Sequence, residues 1–340
     1  MSGKFSVAVV GATGLVGETM VSILEQRDFP VDELFVLASS RSAGKKIRFR
    51  NRECTVEDLA NFDFRRAQIG LFSAGGSVSR EFAPRAAEAG CIVIDNTSHF
   101  RYEDDIPLVV PEVNPEALRG VGNRNIIANP NCSTIQLVVA CKPIYDEAGI
   151  DRINVATYQA VSGAGRSSVE RLARQTAMLM NGKSLEEDDA GGQIAFNALP
   201  HIDAFQDNGY TREEMKMVWE TRKILGDEEI RVNATAVRIP VFYGHSEAVN
   251  LETSRPLEPA RAREVLAQAP GIELMDGHSP GAYPTPAVEG SQSDPVYVGR
   301  IRRDISHERG LNLWVVADNV RKGAALNSVQ IAEILVKEYL

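Results

Sequence analysis

The sequence predicts an α/β protein, a doubly wound parallel-sheet domain followed by an α+β domain whose sheet is largely antiparallel. Three observations predict it. From residue 5 to about 130, short β-rich apolar runs alternate with stretches whose apolar residues recur at helical spacing, the pattern of a parallel sheet covered on both faces. Gly11, Gly14 and Gly17 stand directly between the first such run and the first helical stretch. Beyond residue 150 the runs lengthen and alternate apolar with polar residues, with few helical stretches between them.

In order, "FSVAVVG", "LFVLASS", "IGLFSAGG", "CIVIDN" and "NIIAN" are the strands of the first domain. "LVGETMVSILEQR" and "VSREFAPRAAEAG" are its helices, with Gly90 a helix stop. A helix follows Cys132. "RINVATYQAVSG", "RVNATAVRIPVFYGHSEAVNLET", "VYVGRIRRD" and "LNLWVVAD" then form the second sheet, and the Gly- and acid-rich "GKSLEEDDAGGQ" reads as an exposed loop. The closing "NVRKGAALNSVQIAEILVKEYL" is helical and is expected to return to the first domain. The expected division is a nucleotide-binding domain at 1–130, completed by 320–340, and a catalytic domain at 131–319.

Length supports two domains, since 340 residues exceed what one hydrophobic core usually serves. A composition of 44% hydrophobic and 24% charged residues is that of a soluble globular protein. A net charge of -9 without a Lys/Arg cluster gives no footprint for nucleic acid. No apolar run reaches bilayer length, and the first strand is broken by glycines where a signal peptide would continue. The four cysteines are sparse and irregularly spaced, which argues against a disulfide framework or a metal site and for a reducing cytoplasm.

The strand–glycine–helix context favours a nucleotide over a purely structural turn, because unpaired N–H groups at a helix start and close backbone approach suit a pyrophosphate. The spacing is G-x-x-G-x-x-G, which does not by itself separate one class of nucleotide-binding module from another. At the end of the second strand, where an acidic residue would accept from a free ribose 2′-OH, the chain instead offers Ser40 and Arg41. Those donors suit a 2′-phosphate, so NADP is expected over NAD. A solvated basic loop is the other reading.

Cys54, Cys91 and Cys141 read as small core residues. Cys132 differs, because it follows "NPN" and stands at the start of a helix, where the dipole and free N–H groups favour a thiolate below the reference pKa of about 8.5. A thiolate beside a nicotinamide domain suggests thioester chemistry. Its acid/base partner is sought in "RIPVFYGHSEAV", where His245 follows a glycine at a strand end; a surface histidine or a hydrogen-bonded core histidine is the equal alternative.

"GATGLVG", "NPNCST" and "RIPVFYGHS" in this order, with "SHFR" before the cysteine and "REEMK" after it, resemble the aspartate-semialdehyde dehydrogenase family over essentially the whole chain. The resemblance implies a Rossmann-type cofactor domain, a catalytic and dimerisation domain, and a homodimer. It implies NADPH-dependent conversion of 4-phospho-aspartate to aspartate 4-semialdehyde and phosphate, a step toward lysine, threonine and methionine. Carried over by motif, Cys132 is the nucleophile, His245 the acid/base, and Asn131 and Gln159 arrange the acyl group and substrate. Arg238 holds the α-carboxylate, Glu213 the α-amino group, and Arg101 with Lys216 the phosphate. Gly11, Thr13, Gly14, Leu15, Val16, Ser40, Arg41, Ser162, Gly163 and Asn319 contact the cofactor, and no metal is implied.

Some of these roles meet physical constraints. Arg238 lies seven residues before His245, so strict alternation would put them on opposite faces, and Pro240 and Gly244 must break the strand if both serve one pocket. Glu213 and Lys216 stand at i, i+3 and can share a helical face, although an ordinary surface ion pair has the same spacing. The nearest rival, N-acetyl-glutamyl-phosphate reductase, expects its cysteine in a "GCYPT"-like setting. A non-catalytic binding or structural relative need not retain Cys132, His245, Arg238 and Gln159 together.

Overall fold

The computed structural model describes residues 3–185 and 192–340; residues 186–191 of the stretch expected as an acidic loop lie outside the described residues. The chain divides into two compact units, 1–131 with 323–340, and 132–322.

The first unit opens with β1 (Phe5–Val10), α1 (Leu15–Gln26) and β2 (Val31–Ala38). A hairpin of β3 (Lys46–Phe49) and β4 (Arg52–Thr55) follows, then β5 (Glu57–Asp58), β6 (Ile69–Phe72), α2 (Gly76–Glu88), β7 (Ile92–Asp95) and β8 (Ile126–Ala128). Its six-stranded sheet has the order β5-β2-β1-β6-β7-β8, with every pairing parallel. The order reverses beside β1, the switch point at which doubly wound sheets hold ligands outside the carboxyl ends of their strands. Val7, Ala8, Val9 and Val10 of β1 are all fully buried, so a continuous apolar run rather than an alternating one marks this central strand. Gly90, at φ +90, follows α2, where only glycine adopts the left-handed turn freely. The β3–β4 hairpin and β5 were not expected from sequence; their strands are short and mostly half-exposed, which leaves little periodic signal.

The second unit begins with α3 (Cys132–Ala148), β9 (Ile150–Gln159), α4 (Arg166–Met180), α5 (Arg212–Leu225), β10 (Arg231–Arg238) and β11 (His245–Thr253). It ends with α6 (Pro259–Gln268), β12 (Ile272–Leu274), β13 (Val296–Arg303) and β14 (Gly310–Ala317). Its sheet runs β10-β9-β11-β14-β13-β12, antiparallel through β9, β11, β14 and β13 and parallel at the two outer pairings. The expectation of few helices here needs correction, because α4, α5 and α6 intervene. Each is rich in charged residues, and in α5 the buried face mixes Met217, Val218 and Ile224 with Glu213, Glu214, Glu220 and Thr221, so apolar residues alone do not outline it. α3 is the opposite, apolar nearly all round, and packs against the sheet, α5 and α6.

The last helix, α7 (Leu326–Glu338), belongs to the first unit, where it packs on α1 and an Arg27–Glu333 pair at 2.6 Å ties its surface down.

Candidate active site

The second unit gathers most of the expected site at one edge of its sheet. β9 and β10 run parallel in register, so their last residues, Gln159 and Arg238, are direct neighbours. β11 runs back between β9 and β14 and begins with His245, paired with Ala317 at the end of β14. The six residues 239–244 make the required break between Arg238 and His245. Ile239 N–H donates to the Gln159 carbonyl, and Gly244, at φ +86, turns so tightly that a Cβ would stand 2.3 Å from the Pro286 carbonyl oxygen.

His245 is fully buried, and its Nδ1 accepts from the Ala160 N–H at 3.0 Å. The neutral ring therefore carries its proton on Nε2. Burial, reinforced by the Arg238 guanidinium, holds its pKa down to about 3 against the opposing pull of Glu213. Nε2 lies 3.3 Å from the Gln159 amide nitrogen and borders Gly163, where an added Cβ would sit 3.2 Å from both His245 Nε2 and Arg238 Nη1. Glycine at 163 leaves uncrowded space beside those two groups. Arg238 donates to the Ala160 carbonyl at 2.7 Å, and the Cys132 sulfur is near enough to interact electrostatically with it. Burial lowers the Arg238 pKa, while Glu213 and Cys132 oppose that shift.

Cys132 is the first residue of α3 and partly exposed, with Asn131 buried immediately before it. The other thiols differ. Cys91 and Cys141 are fully buried, and burial pushes Cys91 up to about 12 and Cys141 higher still. Cys54 is half-buried against the core of the first unit, and burial raises it too.

Gln159 Nε2 donates to Glu213 Oε1 at 3.0 Å, and Glu213 Oε2 accepts from Lys216 Nζ at 2.9 Å. Lys216 also donates to Asp203 at 2.8 Å. Burial alone would depress Lys216, but the two carboxylates outweigh it and raise its pKa. The i, i+3 pair is therefore largely buried and wired to Gln159, unlike a surface ion pair. Asp203 was not identified from sequence; it comes from a loop at positive φ with no motif to mark it. The Ala160 N–H is a backbone donor and equally invisible in sequence.

Asn319 is buried, and its Oδ1 accepts from the Gly244 N–H at 3.0 Å while its amide bonds the Ser162 hydroxyl. Its polar atoms thus fasten the Ser162–Gly163 turn to the Gly244 turn.

The remaining expected residues lie in the first unit. The Gly11–Gly14 turn links β1 to α1, which starts at Gly14 with no side-chain cap, leaving first-turn N–H groups for an anion. Thr13, Leu15 and Val16 are half-buried around it. A Cβ at Gly17 would stand 2.2 Å from the Gly11 carbonyl oxygen, so the third glycine lets the helix close on the turn. Ser40 and Arg41 form an exposed turn after β2, at the same carboxyl edge of the sheet. This is a cradle that fits a dinucleotide pyrophosphate, with a basic residue where a 2′-phosphate is held. Arg101 lies in the loop after β7, buried, donating to the Asn96 carbonyl at 2.8 Å beside the Asp95 carboxylate.

The family model described as semialdehyde dehydrogenase, NAD binding domain, matches residues 6–121, and semialdehyde dehydrogenase, dimerisation domain, matches residues 141–322. Aspartate-semialdehyde dehydrogenase of Shewanella violacea is 61% identical over 339 residues, covering 100% of both chains. The chain belongs to the aspartate-semialdehyde dehydrogenase family. The Legionella pneumophila aspartate-semialdehyde dehydrogenase is 61% identical over 100% of this chain and 98% of its own. The crystal structure of aspartate-semialdehyde dehydrogenase II from Vibrio cholerae, complexed with ASA, is 60% identical, covers 100% of both chains and superposes with a TM-score of 0.97. A more distant aspartate-semialdehyde dehydrogenase, from Candida albicans and with NADP, is 27% identical over 98% of each chain with a TM-score of 0.74.

Proposed function

We propose that the chain catalyses the NADPH-dependent reductive dephosphorylation of 4-phospho-L-aspartate to L-aspartate 4-semialdehyde and phosphate, through a thioester on Cys132. The observation that carries this reading is the helix-start Cys132 close enough to interact electrostatically with Arg238, at strand ends where Gly163 crowds neither Arg238 nor the buried neutral His245.

The Cys132 thiolate attacks the acyl carbon of the substrate, and the bond to phosphate breaks with its electron pair leaving on phosphate. NADPH supplies the hydride that reduces the resulting thioester carbon. Collapse of that adduct breaks the C–S bond, releasing semialdehyde and regenerating the thiolate. Each adduct carries an oxyanion, and His245 stabilises it from Nε2–H, the atom at which a proton is held or moved. Gln159 and Asn131 orient the acyl group, Arg238 presents a planar fork to the α-carboxylate, and Glu213 meets the α-amino group. Arg101 and Lys216 are assigned to the phosphate. Gly11, Thr13, Gly14, Leu15 and Val16 would hold the dinucleotide, Ser40 and Arg41 its 2′-phosphate, and the Ser162–Gly163 turn, fastened by Asn319, its nicotinamide end. The reaction belongs to lysine, threonine and methionine biosynthesis in the reducing cytoplasm, where four free thiols persist.

The test runs in the oxidative direction with semialdehyde, phosphate and NADP. Cys132→Ala is expected to fold and bind NADP with no measurable turnover, while intact-mass and peptide analysis of the wild type locates the acyl adduct on Cys132. An adduct on Cys54, Cys91 or Cys141, or turnover by Cys132→Ala, refutes the assignment. Rejection of the N-acetylated glutamate homologue separates the activity from that of the acyl-glutamate reductases.

A further inference from the structure

Two residues beyond His245, on the same inward face of β11, stands a carboxyl that the chemistry above does not use. Glu247 is fully buried, and among the described residues neither of its oxygens has a hydrogen-bond partner. Register sets it beside Thr157 of β9 and Val315 of β14, and the inward face of β11 packs on α3. The polar side chain it meets there is Gln136, one turn beyond Cys132. Gln136 is 1% exposed, and its Oε1 and Nε2 also lack partners. The buried Cys141 thiol is the other titratable group that feels Glu247 from α3.

Four facing, unpaired polar atoms in an apolar setting are costly unless they pair with one another. Their donor and acceptor inventory allows this in one form. A carboxylic acid O–H donates to the amide oxygen, and the amide N–H donates back to the acid carbonyl, closing a ring of two hydrogen bonds. An ionised carboxylate would instead face the amide oxygen with no proton between them. Burial pushes Glu247 well above the usual carboxylate range and outweighs the opposing pull of the Gln136 amide, which agrees with the neutral form.

We propose that Glu247 is a positioning residue for the thioester chemistry: paired acid to amide with Gln136, it fixes the strand that begins with His245 against the helix that begins with Cys132. This rests on the roles proposed above for Cys132 and His245. A clamp of this kind acts on the chemical step and leaves substrate affinity alone, because Glu247 and Gln136 lie beneath the site.

The test compares Glu247→Gln, Glu247→Leu, Gln136→Glu and the exchanged pair Gln136→Glu/Glu247→Gln. It reads the NADPH burst rate with semialdehyde and, without cofactor, the rate at which iodoacetamide modifies Cys132. Glu247→Gln keeps two hydrogen bonds as an amide pair and is expected within about twofold of wild type in both rates. Glu247→Leu breaks the pair, and Gln136→Glu sets two carboxyls face to face; each is expected to lower both rates roughly tenfold with unchanged KM for semialdehyde and phosphate. The exchanged pair restores the ring with its roles swapped, so it should recover to within about twofold. Should Gln136→Glu not accumulate as folded protein, recovery of folded, active enzyme by the exchanged pair is the supporting result. An exchanged pair no better than Gln136→Glu overturns the proposal, as does a Glu247→Leu variant with wild-type rates. If iodoacetamide modifies another cysteine and Cys132→Ala still turns over, the thioester reading itself fails and takes the clamp with it. If Cys132 is confirmed and only the exchange fails, the clamp alone is lost.

Discussion

His245 owes its charge state to its surroundings. With its ring held down to about 3 by burial and Arg238, it stays neutral through the range in which a solvated histidine titrates. Any acid limb of kcat/KM between about pH 5 and 8 therefore belongs to another group of the free enzyme. His245→Asn is expected to lower kcat roughly 10²- to 10⁴-fold while leaving the midpoint of that limb in place. A midpoint that moves with the substitution would assign the limb to His245. The stability sign is also fixed. The unfolded chain protonates this ring near 6.5 and the folded chain only near 3, so its contribution is full above 6.5 and is lost as pH falls between those values. His245→Asn should flatten the fall in melting temperature across that window. At this scale the sequence marked His245 by its glycine and strand end, but could not decide between a core and a catalytic histidine. The Ala160 contact lies 85 residues from His245, the Gly163 gap is similarly remote in sequence, and Arg238, although close along the chain, reaches the ring through a turn that only the fold assembles.

Elements were legible where their periodicity was strong. The continuous apolar β1, the amphipathic α1 and α2 and the Gly90 stop all stand where sequence put them. The long run read through "RVNATAVRIPVFYGHSEAVNLET" is instead two strands, β10 and β11, because Gly244 has to turn the chain across the end of β9. That break was required by the Arg238–His245 spacing, although its position became clear only in the sheet order. Glycine at 17 shows the same logic in α1. Its missing Cβ would strike the Gly11 carbonyl at 2.2 Å, backbone that cannot swing aside. Gly17→Ala should push α1 away from the cofactor turn, destabilising the protein by roughly 1–3 kcal/mol. It should also raise KM for NADPH with little change in Cys132 alkylation, since α3 lies in the other unit. A loss of stability without any change in cofactor affinity would separate the packing role of Gly17 from cofactor binding.

On the scale of the whole molecule, the second sheet has one face packed by helices and another that alternation leaves half-exposed, including Ala156, Tyr158, Ala248, Asn250, Asn312 and Trp314. Tyr158 and Trp314 lie with ring centroids 5.6 Å apart, and a groove of about 430 Å³ opens beside them, lined by Tyr283, Pro284, Leu313 and Arg302. An aromatic face with Arg300 and Arg302 beside it matches interface composition, in which aromatic residues and arginine are enriched. The family model over this unit is described as a dimerisation domain, which favours a second copy of the chain as the occupant. Ala248 is centrally placed, paired with Ala156 on one side and Trp314 on the other. In a free chain, an arginine there can extend over the face and keep its head in water. In a dimer closed by a two-fold axis, each substitution places charge from both copies in one interface, and burying unpaired charge opposes association. Ala248→Arg is therefore expected to shift the mass measured by light scattering from twice the chain to the chain alone, with the far-ultraviolet circular dichroism unchanged. An undiminished dimer mass at micromolar concentration would place the interface elsewhere on the second unit.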